Sequence, residues 1–226
     1  MRDHLTHNIE DYLKTIYELS AAGERASTNQ IAEALDVTPA SVTGMLRKLA
    51  ETDPPLVEYQ RHRGVRLTDD GEQVALEILR HHRLLEMYLH QILGFEWDEV
   101  HAEADRLEHV ISEALEERMA QALGDPSHDP HGAPIPTRDL RMPETSHLSL
   151  YDLRPAQSAV VRRIATQDPG LLRYLSDLGL RPGARLAVVA YSPFDHNIHL
   201  NIAGRPTVVL GPEITRKIFV EQQESI

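Results

Sequence analysis

The sequence contains no cysteine and no apolar run long enough to cross a membrane. The absence of cysteine excludes disulfides, thiol catalysis, iron–sulfur clusters and cysteine-based zinc sites, so any metal must be bound by oxygen and nitrogen. The apolar run LAVVAY, residues 186–191, is too short for a membrane span, and the opening MRDHLTHNIEDYL has no apolar core of a signal peptide. We therefore expect a cytoplasmic protein.

Positive charge is also scarce, because 23 Lys and Arg residues face 35 Asp and Glu residues, for a formal net charge of −12. Such a chain is unsuited to coating nucleic acid, since non-specific affinity comes from neutralising phosphates. The charge is uneven: residues 37–68 carry five basic and three acidic side chains, whereas residues 71–123 carry four basic and twelve acidic ones. The first region is suited to an anion and the second to cations.

The first 70 residues have the pattern of a winged helix-turn-helix. Residues 8–21 have apolar side chains at helical spacing and end before Gly23, and a short helix follows Ser27. Thr38-Pro39 then opens a further helix, with a capping residue and a first-position proline in the favoured order. The stretch LVEYQRHRGVRLT, residues 56–68, predicts two short strands joined by a turn rich in Arg and His.

This arrangement suits DNA, because small polar residues at the start of a recognition helix can enter the major groove while wing arginines contact the backbone. The predicted DNA-binding residues are Thr38, Pro39, Ala40, Ser41, Thr43, Arg47, Arg61 and Arg63. The alternative is a winged domain that serves as a protein-interaction module.

The rest of the chain predicts a helical region followed by a small β domain. Two helices, from Asp70 to about Gly94 and from Asp98 to about Leu123, have broad apolar faces that a symmetric homodimer would bury, and a dimer would read a palindromic DNA site. Residues 126–147 are rich in proline and predict a linker. Residues 148–226 alternate short strands and turns, as in a barrel of SH3 size.

Acidic and imidazole side chains recur on the helices. The stretch HAEADRLEH places His101, Asp105, Glu108 and His109 on one helical face, because each residue turns the helix by about 100°. His82 and Glu86 share a face of the preceding helix, and Asp11 lies on the first helix near its apolar side. Several carboxylates brought together repel one another unless they are protonated or bind a cation, so this pattern favours a metal site.

These residues resemble the DtxR-type iron- or manganese-dependent transcriptional repressors over nearly the whole chain. The motifs that carry the resemblance are NIEDYLKTIYEL, SVTGMLRKL, VRLTDDGE, HRLLE, VHAEADRLEHVISEALEERM and GAPIP. The resemblance implies a fold that is mainly α with β, in which residues 1–70 bind DNA, residues 71–125 bind metal and dimerise, and residues 148–226 form an SH3-like (FeoA-like) domain.

The same resemblance implies two metal sites. The regulatory site would use Asp11, Asp105, Glu108 and His109, and the ancillary site would use His82, Glu86 and His101 with Asp168 from the SH3-like domain. Acids at positions 11 and 105 resemble the manganese branch, so Mn2+ is our first choice of co-repressor and Fe2+ the second, since hard oxygen donors suit both. Lys14 departs from that branch, which has a second ligating Glu at this position.

Two other functions remain open from the sequence. A metal-dependent hydrolase could use the same side chains, but the sequence has neither an HExxH motif nor a nucleophile elbow. A metal-independent winged-helix regulator could answer a small organic ligand instead. The remaining histidines of loops and turns are interpreted as surface residues: His62, His128, His131, His147, His196 and His199.

Overall fold

The first three helices form the predicted helix-turn-helix. The computed structural model describes residues 5–20, 24–202 and 205–223. Helices α1, α2 and α3 span His7–Leu19, Thr28–Ala34 and Pro39–Ala50. The side chains of Ser27 and Thr38 accept the backbone N–H groups of Gln30 and Ser41, and these caps satisfy donors that have no partner inside the helix. The two caps fix where α2 and α3 begin, as the sequence predicts.

A two-stranded wing follows α3. Strand β1, Val57–Gln60, pairs antiparallel with β2, Gly64–Leu67. Gly64 has a φ of +90°, and a Cβ atom at this position would lie 2.5 Å from the carbonyl oxygen of Ala26. A side chain is therefore excluded here both by backbone conformation and by space. The predicted wing is confirmed, and glycine allows it to approach the segment before α2.

Helix α4, Asp69–Gln91, is the longest helix among the described residues, with 23 residues. Its first half buries Val74 and Ile78 in the core shared with α1, α2 and α3. Its second half buries Leu84 and Met87 against Ala120 and Ile135. One helix therefore contributes to two separate apolar clusters.

The prediction of one continuous helix from Asp98 to about Leu123 is wrong, because the structure has two helices there. Helix α5 spans Val100–Leu107 and helix α6 spans Glu113–Ala122. Ser112 begins α6, where its side chain accepts the N–H of Leu115. The four residues 108–111 between the helices are turn or extended backbone, so Glu108 and His109 are not on a continuous helical face with His101.

The proline-rich segment contains a buried stretch at residues 129–136. Asp129 Oδ1 accepts the backbone N–H groups of His131 and Ala133 at 2.8 and 2.9 Å, which folds the segment into a turn. The carbonyl oxygen of His131 accepts the N–H of Ile164 at 2.9 Å. A Cβ on Gly132 would lie 1.9 Å from the carbonyl oxygen of Arg162, so glycine permits this close backbone contact. The segment is irregular, as predicted, but it packs like part of the core.

The C-terminal region is a five-stranded antiparallel sheet, which confirms the predicted SH3-like fold. The strands are β3 (Ser158–Ile164), β4 (Arg185–Tyr191), β5 (Ile198–Ile202), β6 (Val208–Leu210) and β7 (Ile218–Gln223), in the order β6-β5-β4-β3-β7. Helix α7, Pro169–Asp177, and the short helix α8, Pro212–Thr215, connect them, and a 3-10 helix, Leu150–Asp152, precedes them. The core of the sheet also contains Trp97, which is 2% exposed.

The contacts divide the chain into two compact units that are not continuous in sequence. Unit 1 comprises residues 1–82, 108–111 and 136–142, and unit 2 comprises residues 83–107, 112–135 and 143–226. Unit 1 therefore contains the helix-turn-helix, the wing and the four residues between α5 and α6. Of the helices in the described part of the chain, none combines the length and apolarity that a membrane crossing needs.

Candidate functional site

His109 lies at the centre of a charged cluster in unit 1. Its Nδ1 lies 2.5 Å from Oε2 of Glu10, and its Nε2 lies 2.9 Å from Oδ1 of Asp11. The imidazole also stacks on the ring of His7, with 4.8 Å between centroids. Only 8% of the His109 side chain is exposed. Two consecutive acids of α1 thus hold one imidazole that comes from the segment 108–111.

Glu108 is the most deeply buried acid of this cluster, with 1% of its side chain exposed. Lys14 Nζ donates to both of its carboxylate oxygens, at 2.9 and 2.8 Å. His82 Nδ1 lies 2.5 Å from Oε2 of Glu108 and 3.2 Å from Nζ of Lys14. The carboxylate of Glu108 is therefore contacted by groups from α1 and from α4.

The contacts within the cluster shift the pKa values of Glu108 and His109. Burial alone would lower the pKa of His109, but the hydrogen bonds to Asp11 and Glu10 outweigh it and raise the pKa to about 9. Burial alone would raise the pKa of Glu108, but His82 and Lys14 outweigh it and hold that pKa below its ordinary value. These shifts favour the protonated imidazole of His109 and the ionised carboxylate of Glu108, so a metal bound by His109 must displace its proton.

The donor set fits a divalent transition metal. Ligand atoms of Asp11, Glu108 and His109 all lie within 4.8 Å of one another. Two carboxylates and one imidazole are hard and borderline donors, which suit Mn2+ and Fe2+, and the sequence offers no thiolate to select a softer ion. The three predicted ligands Asp11, Glu108 and His109 are thus brought together, and Glu10 is a third acid of the cluster, which the sequence did not indicate.

A second group of possible ligands lies in unit 2. Glu86 Oε1 lies 3.2 Å from Nδ1 of His101, and its Oε2 lies 3.8 Å from Nδ1 of His131. Ligand atoms of Glu86, Asp129 and His131 lie within 4.8 Å of one another, and all three residues are buried. Burial and the charge of Glu86 raise the pKa of Asp129 to about 7. The predicted ligands Glu86 and His101 are thus brought together.

The interpretation of His131 as a surface residue is wrong. Its side chain is 8% exposed and its Nε2 lies 2.9 Å from the carbonyl oxygen of Trp97. The pKa of His131 is raised, because Glu86 and Asp129 outweigh the effect of its burial. Asp129 and His131 were missed because they lie in a proline-rich segment without periodicity. The alternation of Asp and His within DPHG was the signal available.

The other three predicted ligands are His82, Asp105 and Asp168. His82 belongs to unit 1, where it contacts Glu108 and Lys14. Asp105 belongs to unit 2, is 47% exposed, and lies 3.3 Å from His101 Nε2. Asp168 caps α7, where its Oδ1 accepts the N–H groups of Gly170 and Leu171. Among the described residues, the groups of three or more ligands within 4.8 Å of one another do not include Asp168.

The predicted DNA-binding residues lie on α3 and on the turn of the wing. Thr38 caps α3, and the hydroxyl of Thr43 donates to the carbonyl oxygen of Pro39 at 2.9 Å. All of the predicted residues are exposed except Thr43, which is partly buried: Thr38, Pro39, Ala40, Ser41, Arg47, Arg61 and Arg63. Buried Val42, Leu46 and Leu49 hold the opposite face of α3 in the core of unit 1.

The chain matches known repressors along most of its length. Residues 4–65 match the N-terminal DNA-binding domain of iron-dependent repressors, and residues 68–137 match their metal-binding and dimerisation domain. Residues 148–222 match the FeoA domain. The iron-dependent repressor IdeR of Mycobacterium leprae is 35% identical over 230 residues, which cover 96% of this chain and 98% of that protein.

Solved structures of manganese regulators share the fold. A manganese-dependent transcriptional repressor in complex with manganese is 38% identical with a TM-score of 0.84, and the match covers 94% of this chain and 98% of that chain. The manganese regulator SloR is 32% identical with a TM-score of 0.80, covering 97% of this chain and all of that chain, 100%.

Proposed function

The chain belongs to the family of iron-dependent repressors, and we propose that Mn2+ or Fe2+ bound by Asp11, Glu108 and His109 controls its affinity for DNA. The chain is a metal-dependent, DNA-binding transcriptional regulator. The genes that it controls would be those of manganese and iron homeostasis. The matched relatives are repressors rather than enzymes, and they give no support to a metal-independent regulator that answers an organic ligand.

One observation carries the proposal: the contact between His109 and the acids of α1. Helix α1 also packs against α2 and against strand β2 of the wing. Any change in how the segment 108–111 holds Glu10 and Asp11 is therefore transmitted to the elements that carry the DNA-binding side chains. His109, Glu108 and Asp11 act as positioning residues for α1 and, through it, for α3.

When bound, the divalent ion would supply positive charge that offsets the repulsion between Asp11 and Glu108 and would tie α1 to the segment 108–111. Coupling of this kind between a ligand site and a second site is typically worth about 1–3 kcal/mol, or about 5–150-fold in affinity. The side chains of the chain provide the remaining contacts, in which Glu10 and Asp11 hold α1 against His109.

The DNA-binding surface is suited to a palindromic operator. The family model over residues 68–137 describes a dimerisation domain, and a homodimer presents two copies of α3 related by a two-fold axis. We expect Thr38, Ser41 and Arg47 to contact base edges and phosphates in the major groove, and Arg61 and Arg63 to contact the adjacent backbone.

The group in unit 2 is proposed as a second metal position. Glu86, His101, Asp129 and His131 provide two carboxylates and two imidazoles, which is again a set that suits Mn2+ or Fe2+. Asp168 stays a proposed ligand on the strength of the sequence resemblance alone. In the structure, the Asp168 side chain caps the N-terminus of α7.

The test measures operator binding by the chelator-stripped protein, with and without Mn2+, through the fluorescence anisotropy of labelled DNA. We expect Asp11→Ala to remove the Mn2+ response while the protein stays folded, because it deletes one ligand at the surface of α1. Glu18→Ala is the matched control, since Glu18 is an exposed acid of the same helix. A stripped protein that binds its operator as tightly as the Mn2+-loaded protein would overturn the proposal.

A further inference from the structure

Lys14 is the one lysine of the cluster described above, and the proposed ligand set does not use it. We propose that its ammonium acts as a built-in cation, which occupies the place of a second divalent ion and limits the cluster of Asp11, Glu108 and His109 to one. This inference rests on the proposed function, because it concerns the same cluster.

The contacts of the ammonium are those of a bound cation. Lys14 Nζ lies 2.9 and 2.8 Å from the two carboxylate oxygens of Glu108 and 3.2 Å from Nδ1 of His82. Lys14 is 8% exposed and Glu108 is 1% exposed, so both charges are largely removed from water. A lysine is rarely buried to this extent unless it is paired.

The donors around the ammonium would serve a metal equally well. Glu108 Oε2 and His82 Nδ1 lie 2.5 Å apart, and both face Nζ of Lys14. A carboxylate oxygen and an imidazole nitrogen are ligands that Mn2+, Fe2+ and Zn2+ all accept. The ammonium therefore lies where these two donors converge, and it supplies one positive charge there.

Glu108 serves both sides of the cluster. Its Oε1 lies 3.5 Å from Nε2 of His109, on the side of Asp11, while both of its oxygens accept from Lys14. A first divalent ion at Asp11, Glu108 and His109 would bind Glu108 on the side of Oε1, which faces His109. A second ion beside His82 would have to displace the ammonium, which would leave a buried lysine without its carboxylate partner, and this is strongly unfavourable.

A plain structural ion pair would show the same distances, so the test must depend on metal. The full-length protein is dialysed against Mn2+ and the bound ions per chain are counted by elemental analysis, with electron paramagnetic resonance on the same samples. We expect Lys14→Glu to bind about one more Mn2+ per chain than the wild type, because a ligand replaces a cation. The two ions would share Glu108 and give an exchange-coupled signal.

Unchanged ion counts in Lys14→Glu would overturn the inference. The bound ions of the single variant Asp11→Ala are counted in the same experiment, and this variant should bind one ion fewer per chain than the wild type. If Asp11→Ala loses no ion, the proposed function fails at its metal site. If Asp11→Ala loses one ion and Lys14→Glu gains none, only the inference about Lys14 fails.

Lys14→Met covers the case in which Lys14→Glu does not fold. Methionine fills similar space without charge, so Glu108 loses its ammonium partner in the metal-free protein. We expect the rise in Tm on adding Mn2+ to be larger in Lys14→Met than in the wild type, whereas Lys48→Met, an exposed lysine of α3, leaves that rise unchanged. An equal loss of Tm with and without Mn2+ would mean that the lysine is only structural.

Discussion

At the scale of single residues, the imidazole of His109 connects parts of the chain that are far apart in sequence. It lies 99 positions from Glu10, which its Nδ1 contacts. Asp11, Glu108 and His109 could be predicted from the sequence, because their side-chain types and the resemblance both indicate a metal site. Glu10 could not, since an acid beside Asp11 gives no signal of burial until α1 is placed.

Asp105 gives the first prediction. The sequence resemblance makes it a ligand of the regulatory site, and in unit 2 it lies 3.3 Å from His101. If it is a ligand, Asp105→Ala should raise the Mn2+ concentration for half-maximal operator binding by about tenfold, which corresponds to about 1.4 kcal/mol. Anisotropy titrations at fixed DNA concentration measure this. A response equal to that of the wild type would contradict a ligand role for Asp105.

His131 gives the second prediction, which concerns stability. His131→Ala removes the partner of the buried Trp97 carbonyl oxygen, and an unpaired buried polar group typically costs about 1–3 kcal/mol. Urea unfolding of the metal-free protein, followed by the fluorescence of Trp97, measures the loss. His128→Ala is the control, because His128 is exposed. Equal unfolding midpoints for the two variants would contradict the role that we give to the His131 contact.

At the scale of elements, the wing depends on a backbone conformation that only glycine adopts easily. Gly64→Ala should destabilise unit 1 by more than about 1 kcal/mol, because φ is +90° and the new Cβ would meet the carbonyl oxygen of Ala26. Gly44→Ala is the matched change in α3, where nothing lies within 4 Å of the new Cβ, and it should stabilise the helix by about 0.5–1 kcal/mol. Thermal unfolding of both variants measures the contrast, and a shift of Tm in the same direction would contradict it.

Helix and strand positions could be predicted where a capping residue and a periodic pattern agree. Ser27, Thr38 and the wing turn indicated where the DNA-binding elements begin and end. The break before α6 was missed because the apolar pattern continues through residues 108–111. Ser112 was available as a capping signal, but the pull of Glu108 and His109 into unit 1 is a tertiary effect that local sequence does not contain.

The burial of residues 129–136 was missed for a similar reason. Proline and glycine in this segment indicate an irregular backbone, and the backbone is irregular. Its packing against β3 depends on the carbonyl oxygen of Arg162 and the N–H of Ile164, which lie about thirty residues further along the chain. Composition alone cannot separate an exposed linker from a segment with such distant partners.

At the scale of the whole molecule, a protein with a net charge of −12 must bind DNA through a local concentration of positive charge. Arg61→Ala and Arg63→Ala should each weaken Mn2+-dependent operator binding, and each should reduce the slope of log affinity against log salt by about 1, if each arginine contacts one phosphate. Arg162→Ala is the control, since Arg162 is paired with Glu221 on the C-terminal sheet. Titrations at several salt concentrations measure the slopes, and identical slopes for all three variants would contradict phosphate contact by the wing.

The discontinuity of unit 1 limits how the protein can be taken apart. The segment that carries Glu108 and His109 enters this unit from beyond the whole of α5, and residues 136–142 return to it later still. A chimera that borrowed only the first 82 residues would inherit the recognition helix and the wing but leave the imidazole behind. Exchange of a contiguous N-terminal module would therefore separate α3 and the wing from residues 108–111 of the same unit.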